Sequence, residues 1–268
     1  MREKPPPAHR PDSPPRTLRK AAQMEPVTDA PDSVSTRRWR RAFIVGSAVI
    51  VGAAGLAASF WFLFVPNWRP SLRDGERYGI DVSSHQGPID WERVARDEIE
   101  FAYVKATEGM DFTDRSFKAN WSGARSAGLD YGAYHFLTLC SPGLAQAEHF
   151  LRVAPPDSQA MPPAVDLEIA GNCSVRPSAA AVAEELETFV DTVEAAWARP
   201  LVLYIGDDWE REYPTRERLD RPLWHRRFLR RPDVDGWSIW QIHGYAKVEG
   251  ISGGVDLNMM RATDDEAH

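Results

Sequence analysis

Two cysteines and seven histidines in 268 residues form no set at zinc-ligand spacing. No Walker loop and no G-x-G-x-x-G turn occurs either, so the phosphate cradles of nucleotide enzymes are missing. Outside one end, acidic residues outnumber basic ones. Residues 1–41 hold ten Lys/Arg against five Asp/Glu, and with −7 for the whole chain the remainder carries −12. A main domain that acidic excludes nucleic acid as the principal partner, because phosphate backbones are bound by clustered Lys and Arg. Apolar and aromatic residues, by contrast, are plentiful. A hydrophobic share of 43% with ten Trp suits a globular core and an aromatic-lined cleft. The length allows one large domain with an appendage, or two modest ones.

Residues 1–36 are rich in Pro, Arg and Ser, and Pro5-Pro6-Pro7 and Pro14-Pro15 block helix and sheet. A disordered basic tail is expected over 1–41, ending in Arg37, Arg38, Arg40 and Arg41. Ala42 to Val65 then runs without a charge. As a helix it would be roughly 36 Å long, enough to cross a hydrocarbon core of about 30 Å. Trp39 and Trp68 flank it, where interfacial aromatics belong. A cleavable signal peptide is the alternative, since Ala57-Ala58-Ser59 offers small residues. The run continues through Trp61-Phe62-Leu63-Phe64, which favours an uncleaved anchor and makes the lipid bilayer a partner of residues 42–65. The four Arg before the span keep the N-terminus cytoplasmic, and everything after about residue 66 is exported across the cytoplasmic membrane. Cys140 and Cys173 then meet an oxidising compartment, each shortly after a predicted strand, and can pair there. Two unpaired buried thiols are the other possibility.

After a linker over 66–77, strands and helices alternate. Strands are predicted at Tyr78–Val82, Phe101–Ala106, Tyr131–Phe136, Ala164–Ile169 and Leu201–Ile205, then at Trp237–Gln241 and Gly254–Leu257. Helices are predicted at 89–96, 114–127, 143–153 and 178–198, the last capped by Ser178. This alternation over 78–260 points to an α/β fold, an irregular (β/α) TIM-like barrel of parallel strands, with a short tail at 261–268.

The chain is organised around Ala164-Val-Asp-Leu-Glu-Ile169, where Asp166 and Glu168 interrupt an apolar run. Residues i and i+2 of a strand share a face, about 6.5–7 Å apart. Like charges so close cannot both ionise freely, so one holds its proton towards neutral pH. We place that proton on Glu168. A proton donor beside a fixed negative charge is what glycosidic-bond cleavage requires. A solvated loop with two chance acids is the mundane alternative.

In parallel barrels chemistry gathers at the C-terminal strand ends. Those ends bring Asp81 and Ser83, then Lys105, Thr107 and Glu108, then Tyr134 and His135. Asp166 and Glu168 follow, then Tyr204, Trp240 and Gln241, then Asp256 and Asn258. Acids, amides and aromatics arriving together suit a sugar, whose C–H faces pack on rings and whose hydroxyls meet carboxylates and amides. Each has a mundane alternative taken singly: a cap for Asp81, a core ring for Tyr134, an ion-pair partner for Asp256. His85, His135 and His149 are not spaced as a metal set, and acid–base work by carboxylates needs no metal or organic cofactor.

Tyr78-Gly-Ile-Asp-Val-Ser-Ser-His-Gln-Gly87, Lys105-Ala-Thr-Glu-Gly109, Gly128-Leu-Asp-Tyr-Gly-Ala-Tyr-His-Phe136, Ala164-Val-Asp-Leu-Glu168 and Gly254-Val-Asp-Leu-Asn258 occur in this order. Together they resemble glycoside hydrolase family 25, the Chalaropsis-type lysozymes, from about Tyr78 to Asn258. The resemblance implies hydrolysis of the β-1,4 bond between N-acetylmuramic acid and N-acetylglucosamine, with peptidoglycan glycan strands as the partner. It makes Glu168 the general acid and Asp166 the stabiliser of charge at the sugar and its acetamido group. Asp81 and Asp256 complete the acidic floor, and Tyr134 lies beside the sugar that is cut. Lys105, Glu108, Tyr204, Trp240 and Gln241 are candidate substrate contacts. The segment Pro222-Leu-Trp-His-Arg-Arg-Phe228 departs from the family, with two Arg where small or apolar residues are commoner. That departure is expected to bear on substrate contacts and not on the acids. Direct displacement and acetamido assistance both remain open, a non-catalytic glycan-binding module is the alternative function, and a monomer is expected.

Overall fold

The computed structural model describes residues 33–233 and 236–261. The expected tail therefore lies outside the described residues up to residue 32, as does the C-terminal tail from residue 262. The chain divides into two compact units at Ala54/Gly55.

Helix α1 (Ser33–Ser59) begins ahead of the basic cluster, so Arg37 to Arg41 lie on its early turns. Phe43, Ile50 and Leu56 on it are exposed. Among the described residues one helical stretch, Arg37–Asn67, is long and apolar enough to cross a membrane, which is consistent with a signal sequence or an anchor.

In the second unit a π-helical turn, Phe60–Phe64, and a 3-10 turn, Val65–Asn67, lead into the barrel. Residues 65–76 are held against it. Val65 is buried, the Lys247 N–H donates to the Pro66 carbonyl at 2.8 Å, and Arg69 pairs with Asp97 at 2.8 Å. Glu76, with a side chain only 5% exposed, accepts from Arg231.

The barrel opens with β1 (Arg77–Val82), helix α2 (Trp91–Arg96) and β2 (Ile99–Glu108). A short β3 (Phe112–Thr113) pairs only with β2, and α3 (Phe117–Ser126) follows. Next come β4 (Asp130–Phe136), α4 (Gly143–Val153), β5 (Ala164–Leu167), α5 (Ala179–Trp197), β6 (Val202–Gly206) and α6 (Asp207–Glu212). Three strands finish the chain: β7 (Leu223–Arg226), β8 (Trp237–Ala246) and β9 (Val255–Met260). Ser178 caps α5, its hydroxyl accepting from the Ala181 N–H at 3.3 Å.

All the strands but β3 close into an eight-strand ring in which β1 pairs with both β2 and β9. The ring is mixed, where the alternation predicts parallel strands throughout. β9 runs antiparallel to β8 and to β1, because residues 247–254 turn straight back as a hairpin and leave no room for a helical crossover. β7 is a strand that the sequence pattern does not announce, since His225 and Arg226 break its apolar run.

Alternation along the strands sorts two cores. Phe101, Tyr103, Ala164, Val202, Tyr204, Trp224 and Ile239 fill the barrel's interior. Their neighbours, such as Ala102, Val104, Val165, Leu203 and Ile205, face the helices in the larger cluster. Gly132 makes space inside, because a Cβ there would sit 2.5 Å from the Tyr103 ring.

Candidate active site

The inward rows do not stay apolar to the top. Above Tyr103 and Trp224 the same alternation delivers Asp81, Lys105, Tyr134, Asp166, Tyr204, Arg226, Gln241 and Asp256, all of which line an open groove of about 580 Å³. Glu168 lines it too, one residue beyond the end of β5. Its backbone is fixed there by Asn172, whose amide donates to the Glu168 carbonyl at 3.0 Å and to the Leu137 carbonyl at 2.8 Å. Asn172 Oδ1 accepts from the Leu139 N–H at 2.8 Å, and the Cys140–Cys173 disulfide joins the same two loops. The ends of β4 and β5 are thus tied together behind the acids.

A ladder of hydrogen bonds crosses the floor. The Trp224 indole donates to Asn258 Oδ1 at 2.9 Å, and Asn258 Nδ2 donates to Asp81 Oδ2 at 2.8 Å. The Tyr204 hydroxyl donates to Gln241 Oε1 at 2.9 Å, and Gln241 Nε2 donates to the same Asp81 oxygen at 3.2 Å. Both amides are oriented by these partners, so Asp81 receives two fixed donors.

Burial is the first influence on the acids. It drives Asp81 well above the ordinary carboxyl range, helped by Asp256 and resisted by the Asn258 and Gln241 bonds. Asp166 is driven up likewise by burial, then by Glu168 and Asp81, with Lys105 and Arg226 pulling down. Burial and Glu168 raise Asp256 to about 6, against Arg226. Of the two acids in the triplet, Asp166 is the one whose carboxyl burial drives upward. The triplet also meets a cation that it could not announce. Arg226 Nη1 is 3.2 Å from Glu168 Oε1, and its Nη2 donates to Asp208 Oδ1 at 2.9 Å. The Pro222–Phe228 segment thus reaches the acids as well as the groove wall. Asp166 Oδ1 is buried without a hydrogen-bond partner.

Of the other candidates, Lys105 is committed to Glu108 at 2.7 Å and sits over the Phe136 ring at 4.9 Å. Glu108 does not line the groove, and neither does Trp240. Trp240 belongs to the outer core, its indole donating to the Arg227 carbonyl at 2.6 Å. Adjacent residues on a strand face opposite ways, so Gln241 inside requires Trp240 outside. His135 also faces outward, stacked on Phe189 and bonded to Thr107 at 2.8 Å and Gln146 at 3.1 Å; burial lowers it to about 3, so it stays neutral. Trp224, Arg226, Phe228 and Tyr245 line the groove and were not among the sequence candidates. Extending the alternation from Trp224 would have found Arg226.

A closed β/α barrel with four carboxyls, two tyrosines and an amide ladder converging on one open groove defines a carbohydrate-active barrel of the glycosidase class. The model for "Glycosyl hydrolases family 25" matches residues 80–254, and the chain belongs to that family. It is 34% identical over 197 residues to uncharacterized protein YegX of Escherichia coli O157:H7, covering 70% of this chain and 71% of that one. It is 32% identical over 196 residues to lysozyme M1 of Streptomyces globisporus, covering 67% and 66%. A solved family 25 glycosyl hydrolase from Bacillus anthracis superposes with a TM-score of 0.68 at 31% identity, covering 74% of this chain and 94% of that one.

Proposed function

We propose that this chain is a peptidoglycan hydrolase, an N-acetylmuramidase that cuts the β-1,4 bond between N-acetylmuramic acid and N-acetylglucosamine. The observation that carries this reading is the convergence of Asp81, Asp166, Glu168 and Asp256 with Tyr134 in one groove. Glu168, at the rim, gives its proton to the leaving glycosidic oxygen. Asp166 keeps an unpartnered buried oxygen, which suits the N–H of an acetamido group and so favours acetamido assistance over direct displacement. Asp81 and Asp256 form the floor beneath the developing oxocarbenium charge, and Asp256 adds negative field once it ionises above about pH 6. Tyr134, enclosed and kept protonated by burial and then by Asp81, offers its ring and hydroxyl to the cleaved sugar.

In this reading α1 remains as an anchor, with the four Arg on the cytoplasmic side and the barrel exported to the wall. A second reading, a barrel that holds glycan without cutting it, is favoured by one observation: the proposed acid is already paired with Arg226. Digestion of purified peptidoglycan by the full chain separates the two. Hydrolysis releases new reducing ends on N-acetylmuramic acid, whereas binding alone releases none.

A further inference from the structure

Three rings meet at the rim of the groove. Trp61, on the π-helical turn, stacks on Phe228 with centroids 5.7 Å apart and planes 24° from parallel. Tyr245 stands edge-on to both, at 6.0 Å from Trp61 and 6.4 Å from Phe228. Phe228 and Tyr245 line the groove itself. Trp61 and Phe228 are each 46% exposed and Tyr245 53%. A lone exposed ring is ordinary, but three in contact form an apolar patch beside the acids. The rings are also fixed in place. The Arg227 and Leu229 N–H groups donate to the Gln241 and Ile242 carbonyls at 3.1 and 2.9 Å, which holds Phe228 between them. His243 Nε2 donates to the Trp68 carbonyl at 3.1 Å, leaving Nδ1 to accept from the Tyr245 N–H at 3.3 Å. With the bond from Lys247 to Pro66, this clasps the pre-barrel segment to β8 on both sides of Tyr245. The Asn67 amide donates to the Leu63 carbonyl at 2.7 Å and closes the turn that carries Trp61.

We propose that Trp61, Phe228 and Tyr245 form a sugar-binding subsite at one end of the groove, taking a pyranose of the glycan strand outside the pair that is cut. The inference rests on the groove holding peptidoglycan. The occupant follows from continuity and from chemistry. The patch opens into the same groove as the acids, carries no charge, and offers ring surfaces on which the C–H side of a pyranose packs. Tyr245 stands four residues past Gln241 on β8, about 13 Å along an extended strand. The rings therefore serve a sugar other than the one over Asp81, which Gln241 touches. Trp61 lies ahead of residues 80–254, the part matched to the family, and Phe228 ends the segment that departs from it. If α1 is the anchor, the 18 uncharged residues from Ala42 to Ser59 cover about 27 Å, which leaves Trp61 past the span and open to substrate.

The test is calorimetric binding of peptide-free peptidoglycan glycan strands to the full chain in detergent, with Glu168→Gln as the background so that nothing is cut. Added to it, Trp61→Ala and Phe228→Ala should each weaken binding about 3- to 10-fold, and Trp61→Phe should restore most of the loss. Should Phe228→Ala disturb the barrel, Trp61→Ala decides alone, since Trp61 belongs to neither buried cluster. Unchanged affinity in Trp61→Ala overturns the proposal. Tighter binding overturns it too, because Trp61 would then fill the seat rather than share it. Weakened binding in the ring variants, beside a wild type that releases no reducing ends, would sink the muramidase reading and leave the subsite standing. Hydrolysis by wild type with unchanged affinity in the variants would do the reverse.

Discussion

Asp256 illustrates the cost carried by individual residues of this groove. Its carboxyl is raised from the ordinary 3.8 to about 6 by burial and by Glu168. A folded state that binds its proton more tightly than the unfolded chain loses stability as pH rises through that window. Below about pH 3 both states are protonated and nothing is lost; above about pH 7 the penalty is complete. Asp256→Asn should therefore be more stable than wild type at pH 7, by about 3 kcal/mol, and no more stable at pH 3. Chemical denaturation at the two pH values checks it, and an equal gain at both would show that the charge is not the cause. Arg226 belongs to the same scale. The D-x-E triplet makes two acids legible, but the guanidinium that meets Glu168 stands 58 positions further on, counting from residue 168 to residue 226.

Among elements, the strands control what reaches the groove. Gly132 on β4 lies under Tyr103 of β2, whose hydroxyl is fixed to the Pro162 carbonyl at 3.0 Å, so the ring has little freedom to retreat. Gly132→Ala should overpack the barrel and cost about 1–3 kcal/mol, measured as a lowered denaturation midpoint. An unchanged midpoint would mean that the interior yields more than its packing suggests. Element boundaries also explain what the sequence conveyed and what it withheld. β1, β2, β4, β5 and β6 carry clean apolar alternation and were legible to within a few residues. The four-residue β7 was not, because two of its side chains, Trp224 and Arg226, belong to the interior and His225 is a buried polar residue facing outward. Trp240 was mistaken for a groove residue because it stands beside Gln241 at a strand end, where only one of two neighbours can face in. Asp81, Tyr134, Asp166, Glu168 and Asp256 were legible through motif and register together, since each falls at or just beyond a strand's inward row.

For the molecule as a whole, the segment after α1 is docked through Val65, Pro66 and Arg69, so the barrel unit begins well before its first strand. If α1 is an uncleaved anchor, the full chain expressed in a bacterial host should sediment with membranes and resist extraction at high salt. Recovery as a soluble product starting near residue 60 would show a cleaved signal instead. The decisive measurement concerns the acid. Full-length chain carrying Glu168→Gln should keep its circular dichroism spectrum and its affinity for glycan, yet release reducing ends from purified peptidoglycan about 10³-fold more slowly than wild type. Release at the wild-type rate would contradict the account, because the proton that breaks the sugar bond would then come from elsewhere.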